Sequence, residues 1–144
     1  MNEAVNQAPQ MNLNLHQLLK AMIEKGASDM HITTGAPPML RIDGKLVPLR
    51  APKLAPAQTK DLCYSVLTDQ QKAIFEEENE LDLSFGVRGL ARFRANVFVQ
   101  RGAVAGAFRT IPFKILTFKE LGLPPVVEDI SRKPRGLVLV TGPT

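Results

Sequence analysis

The sequence predicts an α+β fold in which helices pack against an antiparallel sheet. Three observations predict it. Apolar residues near the start recur at helical spacing, the period shifts to two from residue 81 to residue 111, and the alternating runs are separated by residues suited to tight turns. The 144 residues are 44% apolar and 22% charged, the balance of a globular domain rather than of a disordered or collagen-like chain. At this length a core can form without staples. Cys63 is the single cysteine, which excludes an intrachain disulfide and a Cys-x2-Cys zinc site and fits a reducing compartment.

In chain order, Leu15, Leu18, Leu19, Met22 and Ile23 fall on one helical stripe that Gly26 closes. Residues 29–33 are short and β-prone. Asp43-Gly44 between apolar flanks signals a hairpin within residues 39–49. Pro48, Pro52 and Pro56 then predict a loop. From Ala57 onward Leu62, Cys63, Val66 and Leu67 share a helical face, which makes Cys63 a core residue, and Thr68 with Gln71 has the form of a capping box for the next helix. The run Glu76-Glu77-Glu78 reads as a solvated helix end. Leu81, Leu83 and Phe85 alternate with Glu80, Asp82 and Ser84, and residues 89–100 and 103–111 continue as longer strands. Thr117 with Glu120 predicts a second capping box and a short helix ending near Gly122, and another helical turn or two follows Pro124-Pro125. Residues 131–135 have the composition of a linker. The run Leu137-Val138-Leu139-Val140 is apolar at every position, the pattern of a strand covered on both faces. Nothing follows to cover it, so it is expected to open a second domain of which only the start is present.

The net charge of +4 permits an anionic partner without naming one. Residues 1–10 carry one acidic and no basic side chain, unlike a secretion signal. No window reaches the roughly 18–20 apolar residues of a membrane span, so a cytoplasmic chain with no membrane insertion is expected.

The residues with chemical potential lie in the last hairpin. If Arg101-Gly102 is a two-residue loop, Gln100 pairs with Ala103 and Arg94 faces Arg109. Phe93, Ala95, Val97 and Val99 with Val104, Gly106, Phe108 and Thr110 form a core face. Arg92, Arg94, Asn96 and Arg109 form the other, kept flat by Ala105 and Ala107. Like charges directly opposed on a strand pair cost some tenths of a kcal/mol. Either an anion such as phosphate relieves them, a task suited to the rigid guanidinium fork, or carboxylates do so, with Glu80, Asp82 and those of a neighbouring domain as candidates. Gly142-Pro143-Thr144 after the apolar run has the form of the opening of a phosphate-binding loop, and equally of a plain strand-ending turn. His16 reads as solvent-facing, and His31 has no second ligand at metal spacing, so no metal site is expected. Phe93 and Phe108 belong to the core face, which argues against base stacking and a nucleic-acid partner.

Several of these stretches together resemble one family. They are Gly26-Ala27-Ser28-Asp29-Met30-His31-Ile32, Pro37-Pro38-Met39-Leu40-Arg41-Ile42-Asp43-Gly44, Ala91-Arg92-Phe93-Arg94-Ala95-Asn96, Phe108-Arg109-Thr110-Ile111-Pro112, and residues 135–144. In this order they are similar to the type IV pilus retraction ATPases, the PilT family within the secretion ATPase superfamily. Residues 1–11 read as a disordered leader, longer than the family pattern needs. The resemblance implies a PAS-like N-terminal domain over 12–112, a linker with short helices over 113–135, and over 136–144 the start of a RecA-like α/β motor domain. It implies a homo-hexamer driven by ATP and Mg²⁺ at the cytoplasmic face of the inner membrane, partnered by the pilus platform proteins and retracting pili in twitching motility. By the same resemblance Arg94 and Arg109 sense nucleotide phosphate when the domains close, Arg92 and Arg101 are further candidates, and Gly142, Pro143 and Thr144 begin the Walker A loop. The family continues with Gly-Ser-Gly-Lys-Ser/Thr and the acidic motor motifs, which these residues lack. The 144 residues alone are therefore expected neither to hydrolyse ATP nor to bind it tightly. The alternative is an oligomerisation module of a related pilus extension or type II secretion ATPase.

Overall fold

The computed structural model describes residues 13–142. The leader read over 1–11, residue 12, and Pro143 and Thr144 lie outside the described residues. The chain divides into two compact units between Pro112 and Phe113.

In the first unit α1 (Leu15–Glu24) is followed by β1 (Asp29–Ile32), β2 (Met39–Ile42) and β3 (Lys45–Pro48). Next come α2 (Pro56–Tyr64) and α3 (Asp69–Glu78), then β4 (Glu80–Val87), β5 (Ala91–Gln100) and β6 (Ala103–Ile111). The six strands form one antiparallel sheet in the order β3-β2-β1-β6-β5-β4. This is the α+β architecture that the change of period predicts. The non-local step is β1 beside β6, which joins the two hairpin regions into a single sheet.

Local chemistry sets the element ends. The Asn14 side chain accepts the His16 N–H at 2.7 Å and caps α1. The box before α3 is formed: the Thr68 N–H donates to Gln71 Oε1 at 2.9 Å, and the Gln71 N–H donates to the Thr68 hydroxyl at 3.3 Å. Both two-residue hairpin turns take left-handed backbone, Asp43-Gly44 at φ 48° and 77° and Arg101-Gly102 at φ 53° and 76°. These turns match the twist of their strands and fix the register. Pro56 departs from the expected loop and opens α2, because the first helical position requires no N–H donor. Helix α2 ends at Tyr64, so Val66 and Leu67 lie beyond it, although Leu67 remains buried.

One sheet face carries Met30, Ile32, Leu40, Leu83, Phe93, Ala95, Val97 and Phe108 into a core closed by Leu15, Leu18, Leu19 and Met22 of α1, Leu62 and Cys63 of α2, and Phe75 of α3. Val99, expected inward, is 39% exposed, one residue before the end of β5 at the hairpin tip. The opposite face of the sheet carries Asp29, Arg41, Asp82, Arg94, Asn96 and Arg109.

In the second unit the Thr117 box forms, with the Thr117 N–H donating to Glu120 Oε2 at 2.9 Å and the Glu120 N–H donating to the Thr117 hydroxyl at 3.2 Å. It closes a single turn rather than a helix. Gly122 turns left-handed at φ 67°, and Pro124 follows, so the turn cannot propagate. The helix expected after Pro124-Pro125 is α4 (Val126–Ser131). The strand expected over 137–140 is not formed: these residues pair with no strand among the described residues, and Leu137 and Val140 are 84% and 97% exposed. A strand of this composition requires neighbours for its hydrogen bonds and for both of its faces.

Candidate functional site

The β5–β6 register places Arg94 directly opposite Arg109 on the polar face. Pairing extends that row to either side. Asp29 of β1 lies opposite both Arg109 and Arg41 of β2, and Ser84 of β4 lies opposite Arg94. The row therefore reads Arg41, Asp29, Arg109, Arg94, Ser84 across five strands. The adjacent row carries His31, Ala107, Asn96 and Asp82, and the small Ala107 leaves a hollow between charged walls. The resulting cavity, about 370 Å³, is lined chiefly by Asp29, Glu80, Asp82, Arg94, Asn96 and Arg109.

Each facing arginine has a carboxylate of its own. Arg109 Nε donates to Asp29 Oδ1 at 2.8 Å, and Arg94 Nη2 donates to Asp82 Oδ2 at 3.3 Å. Of the two readings left open by the sequence, the geometry favours neutralisation by carboxylates, so no external anion is required to hold the pair together. The two ion pairs differ in kind. Asp82 and Arg94 are both well exposed, at 58% and 64%, and such a pair is worth about 0–1 kcal/mol. The Asp29 side chain is 14% exposed against 69% for Arg109, so a partly buried carboxylate anchors a solvent-facing guanidinium. Burial alone would raise the Asp29 pKa. The Ser28 hydroxyl, the Arg109 hydrogen bond and charge, and nearby His31 outweigh it and hold the carboxyl below the usual aspartate value.

Arg109 Nη1 and Nη2 make no hydrogen bond among the described residues, and neither do Arg94 Nε and Nη1. These N–H groups remain able to meet an anion's oxygens. Arg92 shares the polar face one row further on, opposite Ile111 and Gly86, and does not line the cavity. Arg101 is not brought to the site. It occupies the hairpin tip seven residues from Arg94, roughly 23 Å along an extended strand, beside Thr33, Thr34 and Gln100. Gly142 is exposed in irregular chain, while Pro143 and Thr144 fall outside the described residues. His16 is exposed on α1. His31 Nε2 and Thr110 Oγ1 are buried without a hydrogen-bond partner among the described residues. Among those residues no three His, Cys, Asp or Glu side chains are grouped to hold a metal ion, and no helix is long and apolar enough to cross a membrane. Sequence reasoning missed Asp29 as a site residue, because only the β1–β6 pairing brings it beside Arg109.

No family model matches the chain. Curated relatives do. The chain is 46% identical over 132 residues to the type IV pilus retraction ATPase PilT of Pseudomonas aeruginosa, a match that covers 92% of this chain and 38% of PilT. A crystal structure of the pilus retraction motor PilT with bound ADP superposes with a TM-score of 0.77 at 50% identity, over 91% of this chain and 38% of that one. In sequence and fold, the chain matches the N-terminal part of PilT. The family read from the spaced motifs is thus the one the comparisons return. The type IV pilus ATPase PilU of the same organism is 36% identical over 92% of the chain, which spans 35% of PilU. The chain therefore spans little more than a third of the PilT and PilU proteins it matches.

Proposed function

We propose that this chain is the N-terminal, PAS-like region of a PilT-type motor ATPase that retracts type IV pili, and that Arg94 and Arg109 sense the terminal phosphate of ATP. In this reading residues 113–135 link the region to a RecA-like domain beginning near Gly136, whose phosphate-binding loop opens at Gly142. The complete protein works as a hexamer with ATP and Mg²⁺ at the cytoplasmic face of the inner membrane, against the pilus platform proteins. The observation that carries the proposal is the side-by-side setting of Arg94 and Arg109 on the exposed face of a region similar to a motor that binds ADP.

Physically, arginines that reach the γ-phosphate only when the domains close give the closed state a differential affinity for ATP over ADP, as a nucleotide-driven switch requires. A charge-assisted contact of this kind contributes about 1.5–3 kcal/mol. Both guanidiniums already have carboxylate partners, so phosphate either uses their remaining N–H groups or displaces Asp82, the more exposed partner. The second reading is an oligomerisation module of a pilus extension or type II secretion ATPase, with the arginines paired to a neighbouring subunit.

Arg94→Ala and Arg109→Ala in the complete protein separate the two. The phosphate reading expects ATP turnover to fall at least about tenfold with the assembly intact. Loss of the assembly by size-exclusion chromatography would instead support the oligomerisation reading. The 144 residues contain no Gly-Lys-Ser/Thr step to grip a β-phosphate, and Mg²⁺-dependent turnover by this chain alone would refute the assignment of chemistry to the motor domain.

A further inference from the structure

Arg109 is held by one end. Its Nε donates to Asp29 Oδ1 at 2.8 Å, while the edge formed by Nη1 and Nη2 has no partner among the described residues. That edge is the fork with which a guanidinium meets two oxygens of a phosphate. Arg94 is held differently, because Asp82 takes one of its terminal nitrogens. Asp29 therefore complements a phosphate contact where Asp82 competes for one.

Asp29 is itself fixed on several sides. Its Oδ2 accepts the Ser28 hydroxyl at 2.8 Å and lies 3.8 Å from Arg41 Nε. Its backbone is registered against Arg41 on one side and Arg109 on the other. Arg41 in turn donates Nη1 to the Gly44 carbonyl at 3.0 Å, which ties it to the β2–β3 turn. A partly buried, multiply bonded carboxylate thus anchors a long side chain that would otherwise sample many rotamers in solvent.

We propose that Asp29 is a positioning residue for phosphate recognition: it clamps the Nε end of Arg109 so that the Nη1–Nη2 edge is presented to the nucleotide. This rests on the phosphate reading of Arg109 given above. Restricting the guanidinium before the domains close reduces the ordering entropy left to be lost at closure.

The test is a double-mutant cycle in the complete protein, with kcat and KM for ATP measured for wild type, Asp29→Asn, Arg109→Ala and the double variant. Asp29→Asn is nearly isosteric and removes the charge. It is expected to lower kcat/KM roughly tenfold to a hundredfold, the scale of a misplaced catalytic contact, and to change it less than about twofold when Arg109 is already alanine. Ser28→Ala, which keeps the carboxylate and loosens it, should give a smaller fall that also vanishes in the Arg109→Ala background. An equal fall in both backgrounds would show that Asp29 acts on the fold and not through Arg109, and would overturn the proposal, as would an unchanged Asp29→Asn beside an impaired Arg109→Ala. If Arg109→Ala is itself unimpaired, the phosphate reading of the arginine fails, and this proposal fails with it.

Discussion

Replacing Gly106 by alanine tests how tightly the sheet is packed beneath α2. Gly106 lies in β6 opposite Ile32 and Val97, on the core face. A Cβ there would sit 2.8 Å from Cys63 Sγ and 2.9 Å from Phe108 Cε2. Neither neighbour is the loose end of a solvent-facing side chain, since Cys63 is 0% and Phe108 1% exposed. The backbone at Gly106 is not left-handed, so alanine brings no dihedral strain and should gain about 0.4–1 kcal/mol through the unfolded chain. Overpacking costs about 1–3 kcal/mol; with two buried contacts below 3.0 Å the cost falls in the upper half of that range, about 2–3 kcal/mol, so steric conflict wins and the net destabilisation is about 1–2 kcal/mol. For a unit of about a hundred residues that lowers Tm by roughly 4–16 °C. Urea unfolding of the chain followed by far-ultraviolet circular dichroism reads the change as a lower midpoint at constant m-value. Cys63→Ala removes the nearer contact, so the penalty of Gly106→Ala should shrink in that background. A neutral Gly106→Ala, or a penalty that Cys63→Ala leaves untouched, would refute the packing described between α2 and β6.

Three further outcomes follow from the same structure. Burial pushes the Cys63 thiol up to about 12, so a disulfide reagent at mildly alkaline pH should leave it unmodified in the native chain and modify it on unfolding. Thr68→Ala removes one half of the box before α3 and should cost about 1 kcal/mol in equilibrium unfolding; an unchanged midpoint would show the cap to be idle. Because the Asp29 pKa is lowered on folding from its ordinary 3.8, the unfolded chain binds the proton more tightly, and the carboxylate's stabilisation is present above that value and lost as pH falls through the folded one. The Tm difference between wild type and Asp29→Asn, present near neutral pH, should therefore close on acidification; a difference that persisted in strong acid would contradict this linkage.

Short-range chemistry made much of the fold legible. The caps at Thr68 and Thr117, the turns at Asp43-Gly44 and Arg101-Gly102, and the period of two through β4, β5 and β6 each depend on residues within a few positions of one another. The Arg94–Arg109 pairing was legible for the same reason, because a two-residue turn fixes the register of the whole hairpin. Asp29 was not legible as a site residue. It meets Arg109 across 80 positions of sequence, through a β1–β6 pairing that no local pattern announces. The apolar run at 137–140 shows the converse limit: composition states what a strand would need, while strand formation depends on neighbours that the run does not contain. Thr117 is a milder case, in which the cap formed as read but Gly122 and Pro124 stopped the helix after one turn.

The central claim is that Arg94 and Arg109 recognise a terminal phosphate, and nucleotide discrimination by the complete protein tests it most directly. Kd would be measured by calorimetry for a non-hydrolysable ATP analogue and for ADP, in wild type and in Arg94→Ala/Arg109→Ala. At about 1.5–3 kcal/mol for each charge-assisted contact, removing the arginines should weaken the analogue at least about tenfold while leaving ADP nearly unchanged. Equal weakening of both nucleotides, or no change in either, would contradict the assignment.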